Sequence, residues 1–307
     1  MLLASIRERP SGPLFDRDSR FAYGLTLLAL LVGGTMFLAS GFRFAPDVTA
    51  GPPLWSGLAV IAGWLARRIN LPQTAMGLET TGLVYAQGFA FMLVIYSLTA
   101  LPIPLADAQL SAADRALGFY WPSAATPFIS HPEATQWAKT VYRSFAWQPA
   151  LVTVALAFAG QRIRSWQFLT AATVSLCVAA FFGPLLPADS PVVHFGVNWP
   201  ELNSGHRSYY IIHALKGGRR ILDQTMLEGL VSMPSYHTVA AILFAWAVWP
   251  IRWLRLPVLA LNTVLIGVTT VIGAHYLVDV FAGAILAAAS VGLAIKLLPG
   301  KGATRED

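Results

Sequence analysis

The sequence predicts an all-α polytopic membrane protein with about eight transmembrane helices and interfacial helices in its outer loops. Three observations carry this. Of 307 residues, 56% are hydrophobic and only 12% charged, with a mean hydropathy of +0.59, a balance foreign to soluble domains. The apolar residues fall in runs close to the roughly 20 positions a helix needs to cross hydrocarbon. Arg and Lys gather in alternate connections between those runs, as the cytoplasmic bias of basic residues requires.

In chain order the runs occupy about 21–40, 53–66, 78–101, 142–159, 166–186, 236–253, 256–272 and 276–298. The second is short and could be re-entrant, which would leave seven spans. Charge separates the two counts. With eight spans and both termini cytoplasmic, the inner segments carry Arg7, Arg9, Arg17 and Arg20, then Arg67 and Arg68, Arg162 and Arg164, Arg252 and Arg255, and finally Lys296, Lys301 and Arg305. Seven spans break this alternation, so eight are expected. Segment 102–141 has amphipathic spacing around Leu105, Leu110, Leu117 and Phe119, with Ser111 three residues before Asp114 in the pattern of a cap. Short helices lying at the interface are expected there.

Composition also excludes. One cysteine, Cys177, sits inside an apolar run, so a single chain builds neither a disulfide framework nor a thiolate metal site. The start, MLLASIRERPSG, lacks the apolar core and cleavage pattern of a secretory signal. The formal charge of +6 is dispersed between apolar runs rather than along one stripe, which argues for membrane topology and anionic lipid, not nucleic acid. Segment 187–235, the longest polar stretch, breaks the charge rule, since Arg207, Lys216, Arg219 and Arg220 all fall in an outer loop. As a group they suggest a pocket for an anion.

Two short segments carry chemistry. Gly229-Leu-Val-Ser-Met-Pro-Ser-Tyr-His237 runs directly into an apolar helix. Pro234 suits a first helical turn, whose free N–H groups and positive dipole end attract an anion; Ser235 would add a hydroxyl and His237 would face the same spot. By itself, this is equally a helix start with a capping Ser and an interfacial His. In Gly273-Ala-His275-Tyr-Leu-Val-Asp279 the His and Asp are four apart on one helix face. Asp279 could then hold one ring nitrogen of His275 and leave the other free to attack. Ionisable residues on a membrane helix are functional by default. Topology joins the segments, because the sixth span starts and the seventh ends at the same outer face, so His237 and His275 emerge together.

These residues resemble the type 2 phosphatidic acid phosphatase superfamily, whose second motif is Pro-Ser-x-His, as in Pro234-Ser235-Tyr236-His237, and whose third ends His-x3-Asp, as in His275 to Asp279. The resemblance implies a six-helix catalytic core over 78–298, preceded by a segment with two additional spans (1–77) and followed by a tail (299–307). It further implies phosphoryl transfer without metal or other cofactor, through a phosphohistidine. The superfamily's first motif, Lys, six intervening residues and then Arg-Pro, is absent: Lys139 is followed at that distance by Ala146 and Lys216 by Asp223. The Arg usual six residues before the third-motif His is here Thr269. Both absences, and the proline-rich stretch 182–191, resemble the branch that includes inositol phosphorylceramide synthase.

On this reading His275 is the nucleophile, Asp279 orients it, and His237 acts as acid and then base. Ser235 binds phosphate with positive charge from Lys216, Arg219, Arg220 or Arg143 at the mouth of the fourth span. The substrate is a phospholipid; a lipid hydroxyl such as ceramide's as acceptor makes a phosphotransferase, water makes a phosphatase of phosphatidic acid or polyprenyl phosphate. The site is expected at the periplasmic or luminal face. Two other classes stay open: a His/Asp metal-binding membrane protein and a transporter with a proton relay.

Overall fold

A computed structural model describes residues 17–48, 51–199, 203–273 and 275–299. Arg7, Arg9, Lys301 and Arg305, and with them most of the expected tail, lie outside the described residues. The chain opens with α1 (Arg17–Ala39), a two-residue strand β1 (Arg43–Phe44), α2 (Gly51–Arg68) and α3 (Pro72–Thr99). Short helices follow: α4 (Asp107–Ala116), α5 (Trp121–Ser130) and α6 (Pro132–Arg143), then a 3-10 turn (Ser144–Ala146) into α7 (Gln148–Phe158) and α8 (Arg162–Phe182). After α9 (Pro191–His194), α10 (Asn203–Lys216) and strand β2 (Ile221–Leu222) come the three closing helices, α11 (Tyr236–Val248), α12 (Arg252–Ile272) and α13 (Leu277–Leu297).

Each of the eight apolar runs is helical, but five described helices are long and apolar enough to cross a membrane: Ser19–Ala39, Pro72–Thr99, Arg162–Leu185, Arg252–Ile272 and Leu277–Leu297. The fourth run is broken. Its helix is interrupted by the 3-10 turn and restarts with Pro149 in its first turn, a position where proline's missing N–H is harmless. This leaves α7 with 11 residues. α11 has 13, because Pro250 cannot extend it. Large apolar side chains such as Leu28, Leu31, Leu38, Trp253 and Ile285 stay exposed, the surface of a protein solvated by lipid.

The core lies where α3, α7, α8, α11 and α13 meet, around Leu83, Leu156, Phe168, Leu169, Val239, Leu243 and Ala287. α1 and α2 pack chiefly on α3. Arg67 at the end of α2 makes a bidentate pair with Glu79 of α3, both N–O distances 2.5 Å, and Glu79 is 2% exposed. The strands join parallel, Arg43 opposite Ile221, which ties the end of α1 to the 187–235 segment.

The short helices expected in 102–141 are present, with one correction. α4 begins at Asp107, so Ser111 falls inside the helix and caps nothing, and Asp114 serves another helix altogether. The buried pair makes a prediction: Glu79→Leu strands the Arg67 guanidinium and destabilises the protein by about 3 kcal/mol, while Glu79→Leu with Arg67→Met restores most of the loss. Thermal unfolding of the detergent-solubilised variants measures both.

Candidate active site

Four consecutive N–H groups at the start of α13 are satisfied by two carboxylates and one carbonyl. The Tyr276 N–H donates to Asp279 Oδ2 at 3.0 Å, and the Asp279 N–H returns to the Tyr276 carbonyl at 3.1 Å. Leu277 and Val278 N–H donate at 2.9 Å to the two oxygens of Asp114, which arrives from α4 and is 2% exposed. Helix starts need such acceptors, and negative charge there is favoured by the dipole. Burial pushes the Asp114 carboxyl above its ordinary value, opposed by the Leu277 and Val278 N–H groups. Asp107, about two turns earlier on α4, accepts from the Tyr276 hydroxyl at 2.8 Å and from the N–H groups of Asp189 and Ser190. His275, immediately before this capped start, is held from both sides.

The ring of His275 is 5% exposed. Its Nδ1 lies 3.0 Å from the Ser232 carbonyl and 3.4 Å from Asp279 Oδ2. A carbonyl only accepts, so Nδ1 carries the proton and Nε2 presents a lone pair. Ser232, rather than Asp279, is the closer partner. Asp279, itself 0% exposed, also accepts from the Ser232 hydroxyl at 3.0 Å, so it organises the loop that holds the ring.

α11 begins beside it. The Ser235 N–H donates to the Asp279 carbonyl at 2.9 Å, and Gly283 of α13 lets the helices touch: a Cβ there would come within 2.6 Å of the Ser235 carbonyl oxygen. His237 stacks on Tyr142 with ring centroids 4.2 Å apart, leans on Phe145 at 4.4 Å and faces His275 at 6.1 Å. Tyr142 Oη lies 3.0 Å from His237 Nδ1 and occupies a notch opposite Gly273, where a Cβ would meet its ring at 2.7 Å. In contrast to α13, the start of α11 has no cap. Ser235 makes no side-chain capping bond, and its Oγ, in a fully buried residue, has no partner among the described residues. An uncapped helix start of this kind leaves N–H donors free for an acceptor.

Three of the four expected cations have partners elsewhere. Lys216 Nζ donates to the carbonyls of Leu101 and Ile103, and burial lowers its pKa. Arg219 pairs with Asp223 at 2.5 Å. Arg220 donates to the Leu215 and Arg219 carbonyls and lies over the Phe42 ring. Arg207 likewise pairs with Glu228 at 2.7 Å. These residues stitch the 187–235 segment to itself and to the ends of α1 and α3. Arg143 differs: it is exposed and adjoins Tyr142, the partner of His237. Thr269, where the superfamily's Arg would stand, is buried and donates to the Leu265 carbonyl of its own helix.

Sequence reasoning missed Tyr142, Ser232 and Phe145, and found no part in the chemistry for Asp107 and Asp114. Ser232 stood within the 229–237 segment, where a polar residue three positions before Ser235 was a signal. Tyr142 and the two aspartates carry none, because their partners are distant in sequence.

The sequence model of the PAP2 superfamily matches residues 108–293, a stretch that contains both histidine segments and begins after α3. No curated protein and no solved structure matches the chain. Asp114→Ala removes the acceptor for two buried N–H groups and is expected to destabilise the protein by about 1–3 kcal/mol, read as a lowered unfolding temperature. Gly283→Val, which overpacks the α11–α13 contact, loses about as much by the same measurement; a variant as stable as the parent would show that the contact is looser than described.

Proposed function

Given that the chain belongs to the PAP2 superfamily, whose members are typically phosphatases or phosphotransferases, we propose that it is a membrane phosphotransferase acting on a phospholipid, with His275 as nucleophile. The observation that carries the reading is the open start of α11, with the buried unpartnered Ser235 hydroxyl, facing a histidine whose Nδ1 is held by a carbonyl. A phosphate there would meet N–H donors and the Ser235 hydroxyl, with the His275 lone pair in reach.

In the first step His275 Nε2 attacks phosphorus and the P–O bond to the lipid alcohol breaks. His237, positioned by the Tyr142 hydroxyl and protonated together with the arrival of the anionic phosphate, gives its proton to the departing oxygen. Asp279 stabilises the positive charge that the imidazole acquires. In the second step His237 takes the proton of the incoming hydroxyl, that oxygen attacks the phosphohistidine, and the P–N bond breaks to restore His275. The α11 N-terminus and Ser235 stabilise the equatorial oxygens throughout, and Arg143, exposed and next to Tyr142, supplies positive charge at the rim.

The acceptor is a lipid hydroxyl such as ceramide's, the reading favoured by the vacant first motif and by Thr269 in place of arginine. Eight crossings complete the topology, with the 3-10 turn joining α6 and α7 into one and both termini in the cytoplasm. The site then opens to the periplasm or a lumen. α11 measures about 20 Å at 1.5 Å per residue, against a hydrocarbon thickness of about 30 Å, so His237 lies below the membrane surface.

His275→Ala is expected to lose activity by at least about a thousandfold and to trap no phosphate on the protein. His237→Ala loses about 10²–10⁴-fold on a lipid ester, yet still phosphorylates His275 from a p-nitrophenyl ester, whose leaving group needs no proton. Radiolabelled phospholipid, with and without ceramide, checks the acceptor: free phosphate released at one rate regardless of ceramide would replace the transferase with a phosphatase.

A further inference from the structure

An apolar cavity of about 240 Å³ lies between α3, α7, α8 and α11, lined among others by Tyr85, Gly88, Phe145, Phe168, Tyr236 and Ala240. Its few polar atoms are engaged: the Tyr85 hydroxyl donates to the Ala146 carbonyl at 2.8 Å, and the Tyr236 hydroxyl bonds Ser175. Such cavities stay dry and take apolar guests; one of about 150 Å³ suffices for benzene. Two features define this one. Phe145 lines it and also touches the His237 ring, with centroids 4.4 Å apart. Gly88, also in the lining, is exposed, and a Cβ added there would meet nothing within 4 Å, so the cavity opens sideways beside α3, on the membrane-facing surface.

The two histidines have unlike surroundings. Behind His275 stand Asp279, Ser232 and, past Tyr276, Asp107 and Asp114, all polar. Behind His237 stand Phe145 and the cavity. Resting on the phosphoryl-transfer reading above, in which His237 handles the alcohol oxygen, we propose that the cavity holds the alkyl chain of that alcohol, threaded from the bilayer past Gly88. The leaving alcohol and the entering one use it in turn. The polar flank of His275 then receives the part of the substrate that stays on phosphorus. α3, which supplies Val84, Tyr85 and Gly88 to the wall, lies before the segment matched to the superfamily, so this wall comes from outside the matched region.

The test uses the full chain in lipid nanodiscs and a phosphatidic acid with a photoreactive diazirine midway along one acyl chain. Irradiation followed by peptide mapping is expected to place the label on cavity residues of α3, α8 and α11. Gly88→Phe, which blocks the opening, is expected to lower that labelling and to raise the ratio of dihexanoyl to dioleoyl kcat/KM, each about tenfold, the effect of leaving a couple of methylenes unburied. Label confined to the outer faces of α1 or α13, or a Gly88→Phe protein that labels and discriminates as the parent does, overturns the proposal. Labelling needs no turnover, so an inactive protein still reports on the cavity. An active protein whose label misses it overturns the pocket and leaves the reaction standing.

Discussion

Asp114 reaches out of a short helix to cap another helix far along the chain, and the geometry of the candidate site depends on that contact. A carboxylate placed in a buried setting is unfavourable unless its oxygens are filled. Here the N–H groups of Leu277 and Val278 fill them, while Asp279 closes the remaining N–H of the turn. The start of α13 is thereby fixed, and with it His275 just upstream. Asp107 adds a second tie through the Tyr276 hydroxyl and, through the Asp189 and Ser190 N–H groups, draws the 187–235 segment to the same point. Asp189 in turn meets His213 at 3.1 Å, with its carboxyl pushed up by burial.

That arrangement makes the two helix starts opposites. α13 has its positive end neutralised by two carboxylates, and no anion is attracted to it. α11 keeps its first turn open, and its one structural bond there, from the Ser235 N–H to the Asp279 carbonyl, registers it against α13 without filling the site. The dipole favours an anion at an uncapped start. Of the two carboxylates only Asp279 reaches the imidazole, 3.4 Å from Nδ1, while Asp114 is engaged by the N–H groups of α13.

The cations of the outer segment show why a count of charges misleads. Lys216, Arg219 and Arg220 looked like an anion pocket because they are gathered in one loop. A long irregular segment carries many backbone carbonyls that no ladder satisfies, and multi-donor side chains satisfy several at once. Lys216 and Arg220 do so here, and Arg219 closes on Asp223. Arg143, at the end of a regular helix, is exposed instead.

Much of the plan was legible in the chain. Hydrophobic run length located helical segments in the eight runs, five of the described helices being long and apolar enough to cross a membrane, since burial in lipid leaves that signal undiluted, and Pro-Ser-x-His with His-x3-Asp marked the two ends that meet, because both motifs lie within one or two helical turns. Family membership rests on that same stretch. What the sequence by itself determined was therefore local: helix positions, their apolar character and the nearness of Asp279 to His275, which stands just before α13 and not on a face of it. The tertiary structure decided everything that joins distant residues: Asp114 and Asp107 on the start of α13, Tyr142 and Phe145 against His237, the Ser232 carbonyl on His275, and the partners of the loop cations. A hydrogen bond between groups more than a hundred positions apart leaves no periodicity in the chain, because either residue alone looks like an ordinary polar side chain until packing brings its partner within 3 Å.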